Sequence, residues 1–138
     1  MSVHEDVMDT LRATSRTFFI PIHYLPPELQ EPIASAYLCM RAIDEIEDHA
    51  QLGKQVKIRL LRAISQLLQA QSDVSTFMRN EFSAIFAGQQ DVLPAVTLRL
   101  AEWACYAPNS IAPRIWDTTA AMAFCLMTPT PRSQATSS

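Results

Sequence analysis

Glycine is almost missing from this chain: only Gly53 and Gly88 occur in 138 residues. Without closely spaced glycines, neither a P-loop nor a dinucleotide fingerprint can be built. Cysteine is scarce too. Cys39, Cys105 and Cys125 are odd in number and sit at neither CxxC nor zinc-site spacing, which points to a reduced, cytoplasmic protein with small buried thiols. The three histidines form no HxxxH pair. No basic cluster is present and the net charge is −3, which argues against nucleic acid as a partner. No apolar run approaches the roughly 18 residues of a membrane span. The N-terminus, with Glu5, Asp6 and Asp9, lacks the layout of a signal peptide. Contact with a membrane surface stays open if the substrate is a lipid. Alternating apolar patterning is absent as well, so nothing argues for strands.

What remains is helix. With 49% hydrophobic and 18% charged residues, the chain is folded and of a length for one domain. The reading is all-α, with about six helices. Residues 4–19 form the first; Pro21, Pro26 and Pro27 break the chain, and Pro27 opens a second helix that runs to about His49. A third spans residues 54–71, where Val56, Leu60, Ala63, Ile64, Leu67 and Leu68 share an apolar arc opposite Gln55, Arg59, Arg62, Gln66 and Gln69. A weaker fourth covers residues 73–86. Asp91 is expected to cap a fifth that reaches about Tyr106, and Ser110 to cap a sixth that includes Trp116 and Met122. Residues 128–138 are small, polar and rich in Pro, Ser and Thr, the composition of a disordered tail. The domain boundary is therefore placed at 1–127.

Charge is unevenly spread. Residues 1–50 carry a balance of −6 and residues 51–138 one of +3. The acidity peaks in Asp44-Glu45-Ile46-Glu47-Asp48, four carboxylates in five residues. On a helix turning about 100° per residue, Tyr37, Arg41, Asp44, Glu45 and Asp48 share one face, while Cys39, Ile43 and Ile46 point the opposite way. Asp44 and Asp48 are like charges at i,i+4, and they crowd the negative end of their helix. A purely structural helix would gain from the reverse arrangement. Mg²⁺ would remove the conflict, since it takes one or two carboxylates and keeps positions for water and phosphate oxygens. The plainer reading of the spacing is a solvated acidic face with one arginine for balance. His49 follows the cluster, either as a surface histidine at a helix end or as a member of a metal shell.

Three pieces stand in order: Thr14-Ser15-Arg16-Thr17-Phe18-Phe19, then Leu25-Pro26-Pro27-Glu28-Leu29, then Tyr37-Leu38-Cys39-Met40-Arg41-Ala42-Ile43-Asp44-Glu45-Ile46-Glu47-Asp48. Together they resemble the opening of a squalene/phytoene synthase, with its Y-x-x-x-R-x-x-D-x-x-x-D helix. The resemblance implies an all-α, isoprenoid-synthase-like bundle that joins two allylic diphosphates, such as farnesyl or geranylgeranyl diphosphate, head to head. It implies Asp44 and Asp48 as Mg²⁺ ligands and Arg41, Ser15 and Arg16 as the diphosphate grip. Tyr37 would line the reacting centre, and Glu45 would be a supporting acid. NADPH enters only for a squalene-type product. Phe18 and Phe19 would help wall an apolar tunnel.

The pattern departs from the family downstream. No second D-x-x-x-D follows Asp48, and the resemblance stops inside a helix after Ala123, so the chain reads as the truncated N-terminal part of the domain, through a shifted reading frame or a naturally short gene. Activity of this chain alone is accordingly in question. Apolar surface left uncovered around Phe18, Phe19 and residues 111–127 would favour self-association. The alternatives are a non-catalytic helical binding or assembly module of the same fold, and a plain helical protein with an accidental acidic face.

Overall fold

The computed structural model describes residues 3–70, 75–108 and 110–127, and the 128–138 tail lies outside them. The described residues hold eight α-helices and no strand: α1 Val3–Thr14, α2 Arg16–His23, α3 Pro27–Glu47, α4 Lys54–Ala70, α5 Ser75–Ile85, α6 Ala95–Leu98, α7 Leu100–Tyr106 and α8 Ala112–Met127. The all-α reading holds. Six expected helices become eight because two of them are interrupted.

The first interruption is at Ser15, whose extended backbone (φ −156°, ψ 103°) separates α1 from α2 while its hydroxyl accepts a bond from the Phe18 N–H. That is the geometry of an N-cap. Contrary to expectation, Pro21 does not break the chain, because α2 continues through it to His23. The second interruption is at Arg99, which both ends α6 and precedes α7. Asp91 caps neither; the N-cap of α6 is Pro94, which makes no side-chain bond.

Helix α3 is the axis of the molecule. It packs against α1, α2, α4, α6, α7 and α8, and it buries Ala34, Leu38, Cys39, Ala42, Ile43 and Ile46 completely. Helix α4 lies along α8, with Leu60, Leu61, Ile64 and Leu68 facing Ala120 and Ala123 in one continuous core. Its arginines, Arg59 and Arg62, are exposed as expected.

Three buried hydroxyls register the helices against each other. Ser35 Oγ donates to the Trp103 carbonyl at 2.5 Å, Thr97 Oγ1 to the Ala42 carbonyl at 2.9 Å and Ser65 Oγ to the Ala120 carbonyl at 3.0 Å. Each buried hydroxyl is thereby satisfied, as an interior position requires. The two indoles are treated alike, Trp103 donating to Val96 O and Trp116 to Ala104 O. Helix α8 runs unbroken through Phe124-Cys125-Leu126-Met127, past the point where the sequence resemblance ends.

Candidate functional site

The acidic stretch forms the final turn of α3. The helix ends at Glu47 with Asp48 as its C-cap, whose N–H still bonds the Asp44 carbonyl at 2.9 Å. Asp44 is half-buried and Asp48 exposed. Burial, and then the Asp48 charge, push the Asp44 carboxyl above its ordinary range, against the pull of Arg41. Glu47 is also raised, first by a hydrogen bond with Asp48 and then by burial, and Lys57 opposes that shift. The like-charge conflict read from the spacing is therefore real in three dimensions.

Arg41 and Glu45, one turn apart, pair with each other. They line an open groove of about 510 Å³ whose other walls are Asp9, Thr10, Ala13 and Thr14 of α1 and the start of α6. Asp44 and Asp48 are not among its lining residues. The face thus divides into an arginine side turned toward α1 and an aspartate side. Arg41 remains electrostatically linked to Asp44, and its Nε is buried with no hydrogen-bond partner. A buried donor without an acceptor is costly, and an anionic oxygen is the acceptor a guanidinium accommodates best.

Ser15 is half-buried and occupied as the cap of α2, while Arg16 opens that helix, its side chain lying outside the described residues. Thr14, immediately before Ser15, shares the groove with Arg41. The Tyr37 ring lies tilted against Phe18 with ring centroids 4.9 Å apart. Of the two aromatic residues expected to wall a tunnel, Phe18 is 52% exposed and Phe19 is buried. Leu29 and Ile33, two turns and one turn before Tyr37, are exposed on α3 as well. An apolar track consequently leads along α3 to the charged turn.

His49 belongs to no metal-binding group of three or more acids, histidines or cysteines, and none occurs among the described residues. Its Nε2 bonds the Val92 carbonyl at 2.9 Å and its Nδ1 accepts the Gln51 N–H at 3.1 Å. Both nitrogens are spoken for, so His49 is a strut. Periodicity gave no hint of this, since Val92 lies 43 residues away. The donor set available for a cation is a pair of carboxylates one turn apart, oxygen only, with Asp48 exposed to solvent. That fits a hard ion which completes its shell with water and phosphate.

A family model described as squalene/phytoene synthase matches residues 11–103. The chain belongs to the squalene/phytoene synthase family. Ser15, Arg16, Tyr37, Arg41, Asp44 and Asp48 all fall within the matched stretch. Among curated relatives, the chain is 45% identical over 58 residues to a Botryococcus braunii protein named "Botryococcus squalene synthase", covering 42% of this chain and 12% of that one. It is 35% identical over 88 residues to presqualene diphosphate synthase of the same organism, covering 64% and 21%. It is 31% identical over 116 residues to squalene synthase of Eremothecium gossypii, covering 78% and 26%. The chain thus spans about a quarter or less of the length of these squalene/phytoene synthase relatives. No solved structure matches it. Among the described residues, no helix is long and apolar enough to cross a membrane.

Proposed function

We propose that this chain supplies one wall of a head-to-head prenyltransferase site, with Asp44 and Asp48 holding Mg²⁺ against the diphosphate of farnesyl or geranylgeranyl diphosphate. The observation that carries this reading is the final turn of α3. There a half-buried Asp44 has its charge disfavoured by burial and by Asp48, one turn after an arginine with an orphaned buried donor.

When bound, Mg²⁺ neutralises charge on the leaving diphosphate and keeps both acids ionised. Arg41 donates to a diphosphate oxygen through the Nε that now lacks an acceptor, which requires its guanidinium to give up part of its contact with Glu45. Ser15 and Arg16, at the start of α2, supply a hydroxyl and a positive charge to the diphosphate. The exposed side chains of Leu29, Ile33 and Phe18, with half-buried Tyr37, take the apolar chain and keep water from the allylic carbon. The allylic C–O bond breaks with its electrons on the departing diphosphate, the double bond of the second substrate adds to the allylic carbon, and loss of a proton from that carbon closes the cyclopropyl ring. Reduction by NADPH would belong only to the squalene-type outcome. Peripheral membrane contact and self-association through Phe18, Ile20 and Phe124 are part of the same proposal, since all three are exposed.

A second reading is a binding module of the same fold without turnover. Both readings need Mg²⁺-coupled diphosphate binding. Calorimetry with farnesyl diphosphate is expected to show about tenfold or greater tightening by Mg²⁺, abolished in Asp44→Asn/Asp48→Asn. Equal affinity with and without Mg²⁺ in the unmutated chain would refute both. C30 or C40 hydrocarbon extracted from the same mixture would favour turnover over binding alone.

A further inference from the structure

We propose that Lys57, on the neighbouring helix α4, is a positioning residue that sets the Asp44/Asp48 pair. This rests on reading that pair as the metal- and diphosphate-holding group. The end of α3 is an unfavourable place for acids. The last turn of a helix exposes unpaired carbonyls and a partial negative charge, yet α3 has no basic residue in its last turn and is capped by Asp48. A cation has to come from elsewhere.

Lys57 provides it. Its Nζ donates to the Glu47 carbonyl at 2.7 Å, a charge-assisted bond to the last residue of the helix. Its own N–H bonds Gly53 O at 3.0 Å, which seats it in the first turn of α4. The side chain borders a cavity of about 270 Å³ with Glu47, Lys54, Ile58, Leu61 and Leu126. Ile58, Leu61 and Leu126 are the apolar part of that lining, and the lysine charge stands at the carbonyl end of α3, where a cation is favoured. On the other side of Asp48, His49 is held by Val92 and Gln51. Asp48 therefore sits between two anchored residues, Glu47 and His49. Its backbone, bonded to the Asp44 carbonyl at 2.9 Å, is thereby held one turn from Asp44 despite the like charges.

Lys54 borders the same cavity but makes no such bond, so it serves as a control for charge alone. The experiment compares the full chain with Lys57→Met, Lys57→Arg and Lys54→Met. Two quantities are read: amide hydrogen exchange at Asp48 and His49, and the Mg²⁺ concentration that half-saturates binding of inorganic pyrophosphate. In Lys57→Met, exchange at those two amides should rise about tenfold, the size expected for losing one hydrogen bond to a charged group. Amides in the middle of α3 should not change, and about tenfold more Mg²⁺ should be needed. Lys57→Arg should restore most of both, and Lys54→Met should match the parent. Unchanged exchange in Lys57→Met, or an unchanged Mg²⁺ requirement, overturns the inference alone. Absence of Mg²⁺ coupling in the parent overturns the underlying reading of the pair and this inference with it, while the exchange data still report separately whether Lys57 anchors the turn.

Discussion

Asp44 carries a carboxyl that folding makes harder to ionise. An acid whose folded value lies above its unfolded one favours the folded state when protonated. That contribution is complete below the ordinary aspartate value of 3.8 and is lost as pH rises through the raised folded value. Without metal, Asp44→Asn should therefore stabilise the chain at pH 7, by about 0.5–1 kcal/mol from relief of like charge at i,i+4 and at the helix end. Below pH 4 the advantage should vanish. Urea unfolding of both proteins at the two pH values checks this, and a metal-free variant less stable than the parent at pH 7 would contradict it. The residue types at this site were legible because carboxylate spacing and charge are local properties of the sequence. The partners of Arg41 and His49 were not, since one chooses between several neighbouring acids and the other reaches a carbonyl in a distant turn.

Among the elements, α3 and α4 were legible with nearly correct ends, because each is long and keeps an apolar stripe at helical period. The misjudged elements were those decided by contacts. Ser15 was read as the far end of one helix and instead caps the next. Arg99 interrupts what reads as a single helix, and it pairs with Asp6 and Glu102 while its guanidinium lies over Trp103 at 4.4 Å. Asp6 is 93 residues away, beyond any local pattern. Short α6 is held by Thr97, buried and bonded to the Ala42 carbonyl. Thr97→Val keeps the shape and removes that bond, so it should cost about 1 kcal/mol. It should also speed exchange in α6 more than in α4. A variant as stable as the parent would mean that the hydroxyl does not register α6 on α3.

At the scale of the whole molecule, one core joins all eight helices, and the uncovered apolar side chains gather mainly on α2 and the first half of α3. Phe18, Ile20, Tyr24, Leu29 and Ile33 are all exposed there, and α3 runs on from them to the turn that holds Asp44 and Asp48. An apolar track ending in carboxylates and an arginine suits an amphiphile with a diphosphate head, provided a divalent cation mediates. The motif order made the family legible from sequence. The division of the α3 face, with Arg41 toward α1 and the aspartates apart from that groove, required coordinates. The most direct test is a set of four melting temperatures, for the chain alone, with Mg²⁺, with farnesyl diphosphate, and with both. Ligands that bind independently give shifts that add, whereas coupled ligands exceed the sum. The shift with both is expected to exceed the sum in the parent and to equal it in Asp44→Asn/Asp48→Asn. A parent whose shifts simply add would contradict the assignment of Asp44 and Asp48 as a Mg²⁺–diphosphate site.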